Sequence, residues 1–229
     1  MSKAHLSDVR APYKDGDHLN ESSLGSKNPL KLFEIWFDIA RNTESIKEPN
    51  AMTLATVNGE GQPSARMVLL KDFGPNGFVF FTNYRSAKAK DLEMTPYAAL
   101  VLYWVDLCRS IRIEGSVEKL PVAESEHYFK RRPRASQISA HVSQFQSSSI
   151  ESRQALEDMA AKIETQYKDK PIPKPEYWGG FTVRPKKMEF WQGQSSRMSD
   201  RIVFVRQTND LKTNWLPGED GWCFQRLQP

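Results

Sequence analysis

Cysteine is nearly absent from this chain. Cys108 and Cys223 are the only two among 229 residues, and they lie far apart, so no disulfide framework is implied. Long apolar runs are missing as well. No stretch approaches the ~20 residues needed to span a bilayer. The first residues, Met1-Ser-Lys-Ala-His-Leu6, lack the apolar segment of a secretory signal. A cytoplasmic protein without a membrane partner is the expectation. Histidine is sparse: His5, His18, His127 and His141 show no ligand spacing among themselves or with the cysteines, which argues against a zinc site. There is no G-x-x-x-x-G-K-[ST] loop and no G-x-G-x-x-G turn, so the common nucleotide cradles are absent. Strong charge of one sign is also missing. Lys and Arg exceed Asp and Glu by 32 to 28, a balance that suits an anionic small molecule and is equally ordinary for a soluble protein.

What is present describes a folded protein of average make-up. Hydrophobic residues account for 39% and charged residues for 26%, enough for a sizeable core in one large domain or two small ones. Residues 1–27 are polar and read as a mobile arm, or an extended segment lying on the body, before a single domain over 28–229. Asn28-Pro29 reads as a helix start, and Leu32, Phe33, Trp36, Phe37 and Ala40 then recur at helical spacing. From Ala51 the period falls to two. Strands are predicted at 51–57, 64–73 and 78–82, separated by Asn58-Gly-Glu-Gly61 and Gly74-Pro-Asn-Gly77 turns. A short helix over 86–93, capped by Ser86 and ended before Pro96, precedes a hairpin of 97–104 and 109–117. Helices follow over 123–132, closed by Pro133, and over 150–167, where Leu156, Met159, Ala160, Ile163 and Tyr167 share a face. Pro171-Ile-Pro-Lys-Pro175 is a stiff linker. Strands at 181–183, limited by Pro185, and at 188–191 come next. A strand at 201–206, a polar loop over 208–220 and a strand at 222–227 close the chain. Many short strands joined by turn signals, with helices at the periphery, predict an α+β fold on an antiparallel β-barrel.

With metals and nucleotide loops set aside, cations are the remaining chemical resource. The segment Trp178–Arg201 holds Trp178-Gly-Gly-Phe181, Glu189-Phe-Trp-Gln-Gly193 and Arg197-Met-Ser-Asp-Arg201. Two guanidiniums beside Trp191, with Asp200 as the local acid, suit a phosphate or a planar ring; the alternative is a surface hairpin whose arginines lie on exposed rings. In Ser64–Lys71, strand alternation puts Arg66 with Val68 and Leu70 on one face and Lys71 on the other. Burying an unpaired arginine is costly, so Arg66 marks either an edge-strand ion pair or an anion site. Tyr128, Arg132 and Ser136, spaced by four, can converge on one phosphate, although arginines in a last helical turn are also stabilised by the helix dipole alone. A basic, aromatic-rich barrel could also stack single-stranded nucleic acid. Most aromatics here fall in strand cores and no face gathers a long basic stripe, which argues against that reading.

Several motifs stand together in a fixed order. Pro63-Ser-Ala-Arg-Met-Val-Leu-Leu-Lys71, Phe80-Phe-Thr-Asn83, Tyr128-Phe-x-x-Arg132-Pro133, the W-G-G, E-F-W-Q-G and R-x-x-D-R runs, and the closing Arg226-Leu-Gln-Pro229 resemble the pyridoxamine/pyridoxine 5'-phosphate oxidases, from about Asn28 to the last residue. The resemblance implies a split β-barrel that binds FMN as a homodimer. It implies oxidation of pyridoxine 5'-phosphate and pyridoxamine 5'-phosphate to pyridoxal 5'-phosphate, with oxygen as acceptor and hydrogen peroxide as product. By the same likeness, Lys71, Tyr128, Arg132 and Ser136 anchor the substrate phosphate. Arg197 and Ser199 are then the catalytic, substrate-binding pair. FMN is held by Arg66, Met67, Val68, Leu69, Phe81, Thr82, Lys88, Ser110, Gln146, Ser147, Trp191 and Arg201. No metal and no nucleic-acid partner is implied. Three family positions differ: an arginine beside Lys88 is Ala87, a glutamine is Ser110, and the histidine of R-L-H-D-R is Ser199. One extra residue stands between Ser143 and Gln146. Arg85 is the nearest candidate to replace the cation missing at Ala87. The alternative within the same fold is a flavin-binding protein with weak or lost oxidase activity.

Overall fold

A computed structural model describes His5, Tyr13 and residues 18–208 and 214–229. Most of the expected arm, residues 1–4, 6–12 and 14–17, and residues 209–213 of the expected polar loop lie outside the described residues. Two compact units emerge, each assembled from separate stretches of chain: 50–100 with 114–185, and Met1–Pro49 with Val101–Ile113 and Lys186–Pro229. Strands β5 (Tyr97–Trp104), β6 (Arg109–Lys119) and β7 (Trp178–Gln192) contribute residues to both.

In the first unit, β1 (Ala51–Val57) and β2 (Pro63–Leu69) pair antiparallel with Leu54 opposite Arg66. Alternation in β1 buries Met52, Leu54 and Thr56, the expected result of a two-residue period. A hairpin follows, β3 (Asp72–Gly74) and β4 (Gly77–Asn83), with Gly77 at φ 122 in its turn. A side chain is excluded there twice, because a Cβ would also lie 2.3 Å from the Val183 carbonyl oxygen. The strand order is β2-β1-β5-β6-β7, and β4 also lies on β7, Phe80 opposite Phe181. Helices α2 (Ala87–Met94), α3 (Val122–Arg131), α4 (Arg134–Val142) and α5 (Arg153–Gln166) belong to the same unit. Phe129, Ile138, Ala140, Ile172 and Trp178 form a satellite core under α3 and α4.

In the second unit, Asn28 Oδ1 accepts the backbone N–H of Leu30 at 2.8 Å and starts α1 (Pro29–Arg41), with Pro29 in its first turn. The predicted apolar stripe holds: Leu32, Phe33, Trp36 and Ala40 are buried. Strands β8 (Asp200–Arg206), β9 (Leu216–Pro217) and β10 (Trp222–Arg226) extend the order β7-β8-β10-β9. Trp36, Phe190, Phe204 and Phe224 form a run of ring contacts between 5.2 and 5.7 Å.

Three expectations needed correction. The strand expected over 64–73 is two, β2 paired with β1 and β3 paired with β4, broken at Leu70 and Lys71. Residues 178–192 form one strand, not two, and Pro185 lies inside it. Along β7 the partner is β4 over 178–183 and β8 over 187–192. Pro185 falls in the gap, where its missing N–H leaves no ladder bond unmade on that side. The third correction is α4, which starts directly after Pro133 and was not expected. Pro133 ends α3 and precedes the first residue of the next helix, a place where its fixed φ is tolerated.

Gly115 lies against β7 so closely that a Cβ would stand 1.9 Å from the Arg184 carbonyl oxygen. Gly115→Ala should therefore destabilise the fold by about 1–3 kcal/mol, the range for overpacking a tight contact. Urea denaturation checks this, and an unchanged midpoint would refute it.

Candidate functional site

The first unit brings most of the predicted cations to one place. Arg66, Met67, Val68 and Leu69 come from β2, Phe81 and Thr82 from β4, Lys88 from α2, Tyr128 from α3 and Ser136 from α4. With Lys71, Arg132, Pro133, Gln146 and Trp178 they line a cavity of about 630 Å³. Lys71 is fixed just beyond β2, where its N–H donates to the Val79 carbonyl at 2.8 Å. Among the described residues that line this cavity, four are Arg or Lys and none is Asp or Glu. Such a wall favours an anion, and a low-dielectric setting strengthens the attraction.

Arg66 and Lys88 on one wall and Arg132 on the other are held differently. Arg66 Nη1 donates to Thr56 Oγ1 at 2.7 Å and to the Leu54 carbonyl at 3.1 Å, and Nη2 stands 3.7 Å from Asp91. The ion pair and the anion-facing position, alternatives on the sequence, coexist. Lys88 Nζ reaches Thr82 Oγ1 at 3.3 Å. Burial pulls the Lys88 ammonium down, the Arg66 charge adds to this, and Asp91 offsets part of it. Across the cavity, Phe81 stacks on Tyr128 at 4.0 Å and on Trp178 at 5.3 Å, and the Arg132 guanidinium lies 4.6 Å from the centre of the Trp178 ring. Burial lowers the pKa of Arg132, and its buried Nη1 has no hydrogen-bond partner. Buried donors are rarely left so; an ordered water, an ion or a ligand ordinarily meets them. Ser147 does not line the cavity. It adopts φ 77, and its Oγ accepts the Ala87 N–H at 3.2 Å. Arg85 lies 4.7 Å from the centre of the Tyr177 ring instead of lining the cavity.

The remaining predicted residues belong to the second unit. Ser110, Trp191 and Arg201 line a cavity of about 560 Å³ with Tyr13, Tyr103, Arg112 and Glu189. Glu189 is buried and divides its carboxylate between two arginines: Arg201 Nε donates to Oε1 at 2.8 Å and Arg112 Nη2 to Oε2 at 2.5 Å. Burial alone would raise the Glu189 pKa, but the two guanidiniums outweigh it and hold the carboxyl below its usual range. Arg197 is exposed, at φ 65, with its guanidinium 5.0 Å from the Tyr13 ring centre, and Tyr13 meets Trp191 edge-on at 5.7 Å. Ser199 is half-buried and lines neither cavity. Sequence reasoning missed Trp178, Arg112 and Glu189 as site residues. Trp178 and Glu189 stood inside the W-G-G and E-F-W-Q-G runs; nothing in the spacing marked Arg112. Among the described residues no cluster of three or more His, Cys, Asp or Glu could hold a metal, and no helix is long and apolar enough to cross a membrane.

Comparison with known proteins now bears on the geometry. Residues 40–167 match the family model of pyridoxamine 5'-phosphate oxidase, and residues 178–229 match the pyridoxine 5'-phosphate oxidase C-terminal dimerisation region. The chain belongs to the pyridoxamine 5'-phosphate oxidase family. Within it, the chain is 47% identical over 229 residues to pyridoxine-5'-phosphate oxidase of Bos taurus, covering 98% of this chain and 87% of that protein. It is 49% identical over 227 residues to pyridoxine/pyridoxamine 5'-phosphate oxidase of Bombyx mori, covering 96% and 88%. Among solved structures, PhzG from Burkholderia lata 383 in complex with tetrahydrophenazine-1-carboxylic acid superposes with a TM-score of 0.82 at 26% identity, covering 94% of this chain and 99% of that one. A pyridoxamine 5'-phosphate oxidase-related, FMN binding protein from Nostoc punctiforme shares the fold, with a TM-score of 0.68 at 16% identity over 88% and 98%. The α+β split-barrel class expected from the sequence is the fold of this family member.

The Glu189 clamp generates a pH prediction. Its folded pKa lies below the ordinary 4.5, so the stability it contributes is present above about pH 4.5 and is lost as pH falls through the lower folded value. Both arginines are partly solvent-exposed, which screens the pair. Glu189→Gln should cost about 1–3 kcal/mol at pH 7, less than a fully buried pair would, and the deficit should shrink below pH 4.5. A deficit constant from pH 7 to pH 3.5 in urea titrations would contradict the clamp.

Proposed function

We propose that this chain is an FMN-dependent oxidase that converts pyridoxine 5'-phosphate and pyridoxamine 5'-phosphate to pyridoxal 5'-phosphate, passing electrons to oxygen and releasing hydrogen peroxide. The observation that carries the reading is the cavity walled by Arg66, Lys71, Lys88 and Arg132 without a lining carboxylate, in which a buried arginine N–H lacks a partner. FMN fits this chemistry: its phosphate suits a cationic wall, and the volume lies within the usual range for ligand sites. When bound, FMN supplies the two-electron acceptor.

The roles of the side chains are those the family likeness implies, with charge and position in support. Lys71, Tyr128, Arg132 and Ser136 take the substrate phosphate, Arg132 through its unpartnered Nη1. Arg66, Lys88, Thr82 and Gln146, with Phe81 and the backbone of Met67, Val68 and Leu69, hold FMN, and Ser147, whose Oγ accepts the Ala87 N–H, is assigned to FMN by the family likeness. By the same likeness, Ser110, Trp191 and Arg201 are assigned to FMN as well. Arg197 orients the reacting carbon, and Ser199 offers a hydroxyl beside it. The match to a dimerisation region supports a homodimer; FMN shared between its protomers and a cytoplasmic location are part of this proposal. A flavin-binding protein with weak oxidase activity is favoured by one specific observation, the substitution of family donors at Ala87, Ser110 and Ser199.

Visible spectra with and without added FMN, followed by turnover of pyridoxine 5'-phosphate, test the reading. No flavin binding would overturn it, and binding without turnover would select the weaker oxidase. Arg132→Ala should raise KM for pyridoxine 5'-phosphate by about 10- to 100-fold, the equivalent of one charge-assisted bond. Oxidation of unphosphorylated pyridoxine should be unaffected. Equal losses on both substrates would place Arg132 elsewhere.

The FMN affinity yields a separate expectation. Arg85 is engaged with Tyr177, so the cation absent at Ala87 is not replaced from there. Ala87→Arg should tighten FMN about 10- to 100-fold in a fluorescence titration, by the same bond strength, whereas Arg85→Ala should leave the affinity unchanged. The opposite pattern would show that Arg85 swings to the phosphate.

A further inference from the structure

Resting on the reading of Arg197 as a substrate-contacting residue, we propose that Asp200, gripped by Arg226, is the positioning residue for Arg197. The Arg197 backbone is left-handed at φ 65, a conformation that a residue with a Cβ keeps only when its surroundings impose it. The surroundings are a short loop closed at its base. Arg197 N–H donates to the Gln194 carbonyl at 3.0 Å, and the buried Gln194 Nε2 donates to Asp200 Oδ2 at 3.0 Å. One carboxylate thus joins the two ends of the segment that displays Arg197 and Ser199.

That carboxylate is itself held from two further directions. Arg226 Nη1 donates to Asp200 Oδ1 at 2.6 Å, and Arg226 Nε and Nη2 each meet Glu21 at 2.9 Å. Arg226 also donates to the Leu19 carbonyl. Leu19 N–H returns to Asp200 Oδ2 at 3.2 Å, and His18 Nδ1 stands 3.4 Å from the same oxygen. The loop base, strand β10 and the segment His18–Glu21 therefore converge on a single buried acid. A buried carboxylate is a weak source of stability compared with an apolar residue of the same size. What it provides here is simultaneous attachment of three chain segments around the loop, which an apolar side chain cannot supply.

The test uses the full-length, FMN-loaded protein. Asp200→Asn, Arg226→Ala and Arg226→Lys are compared for kcat and KM with pyridoxine 5'-phosphate, for FMN affinity, and for the rate of tryptic cleavage after Arg197. Asp200→Asn and Arg226→Ala should speed that cleavage at least about tenfold and lower kcat/KM by about 10- to 100-fold. FMN affinity should move less than threefold, roughly 0.6 kcal/mol, and Arg226→Lys should recover part of kcat/KM. Wild-type cleavage and wild-type kcat/KM in both variants would overturn the proposal. So would a loss of FMN affinity and thermal stability in step with kcat/KM, the mark of a general structural role. Should Asp200→Asn not fold, Gln194→Ala removes only the loop-closing donor and carries the same expectations. Arg197→Ala isolates the underlying reading. If that variant keeps full activity, the substrate role of Arg197 fails, while the cleavage rates still decide whether Asp200 holds the loop.

Discussion

Positive charge gathered around one cavity is the constraint on which the rest of the structure depends. Burial disfavours the charge of both Arg66 and Lys88, the Arg66 charge adds to the penalty on Lys88, and Asp91 opposes both. On the opposite wall Arg132 is desolvated and has an unpartnered N–H. Each feature is unfavourable in the protein alone and favourable once an anion arrives. An anion that binds only the folded chain therefore adds to its stability with the logarithm of the ratio of its concentration to Kd.

Charge placed in this way is useful only if it does not move. The Arg132 guanidinium lies on Trp178, Trp178 stacks with Phe81, and Phe81 stacks with Tyr128. Phe81 lies in β4 and Trp178 begins β7, and the ladder between those strands fixes their spacing. Backbone pairing thus sets the rings, and the rings set the guanidinium. The second unit uses a different device. Buried carboxylates, Glu189 and Asp200, orient Arg201 and the loop of Arg197 through charge-assisted bonds.

Much of this was legible in the sequence, for identifiable reasons. The two-residue period of Ala51–Val57 and the helical stripe from Leu32 to Ala40 state which faces are buried, so strand β1 and helix α1 followed directly. The spacing of four suggested that Tyr128, Arg132 and Ser136 meet, but their clustering with Arg66, Lys71 and Lys88 was legible only through ordered motifs, because residues so far apart in sequence carry no local signal of proximity. Pro185 misled because a proline inside a strand ordinarily ends it. A change of pairing partner along β7 removes that penalty, and such a change is invisible before the topology is known. Glu189 looked like one more strand polar residue. Its importance depends on Arg112 and Arg201 arriving from other strands.

The three substituted family positions divide donors from the devices that aim them. By the family likeness, Ala87, Ser110 and Ser199 stand where a longer polar side chain is expected. Yet the groups around them are arranged for aiming. The Ala87 N–H is bound by Ser147, Ser110 lines the same cavity as the Glu189 clamp, and Ser199 precedes the buried Asp200. Buried ion pairs are a poor way to stabilise a fold, since apolar replacements of the same volume often do as well or better. A protein that needed only to fold would gain little from placing Glu189 and Asp200 in its interior. Their location is accounted for if Arg201 and Arg197 must still be presented in fixed directions. On that reasoning the substitutions weaken individual contacts within a site that keeps its geometry, and affinity and turnover are the quantities they alter.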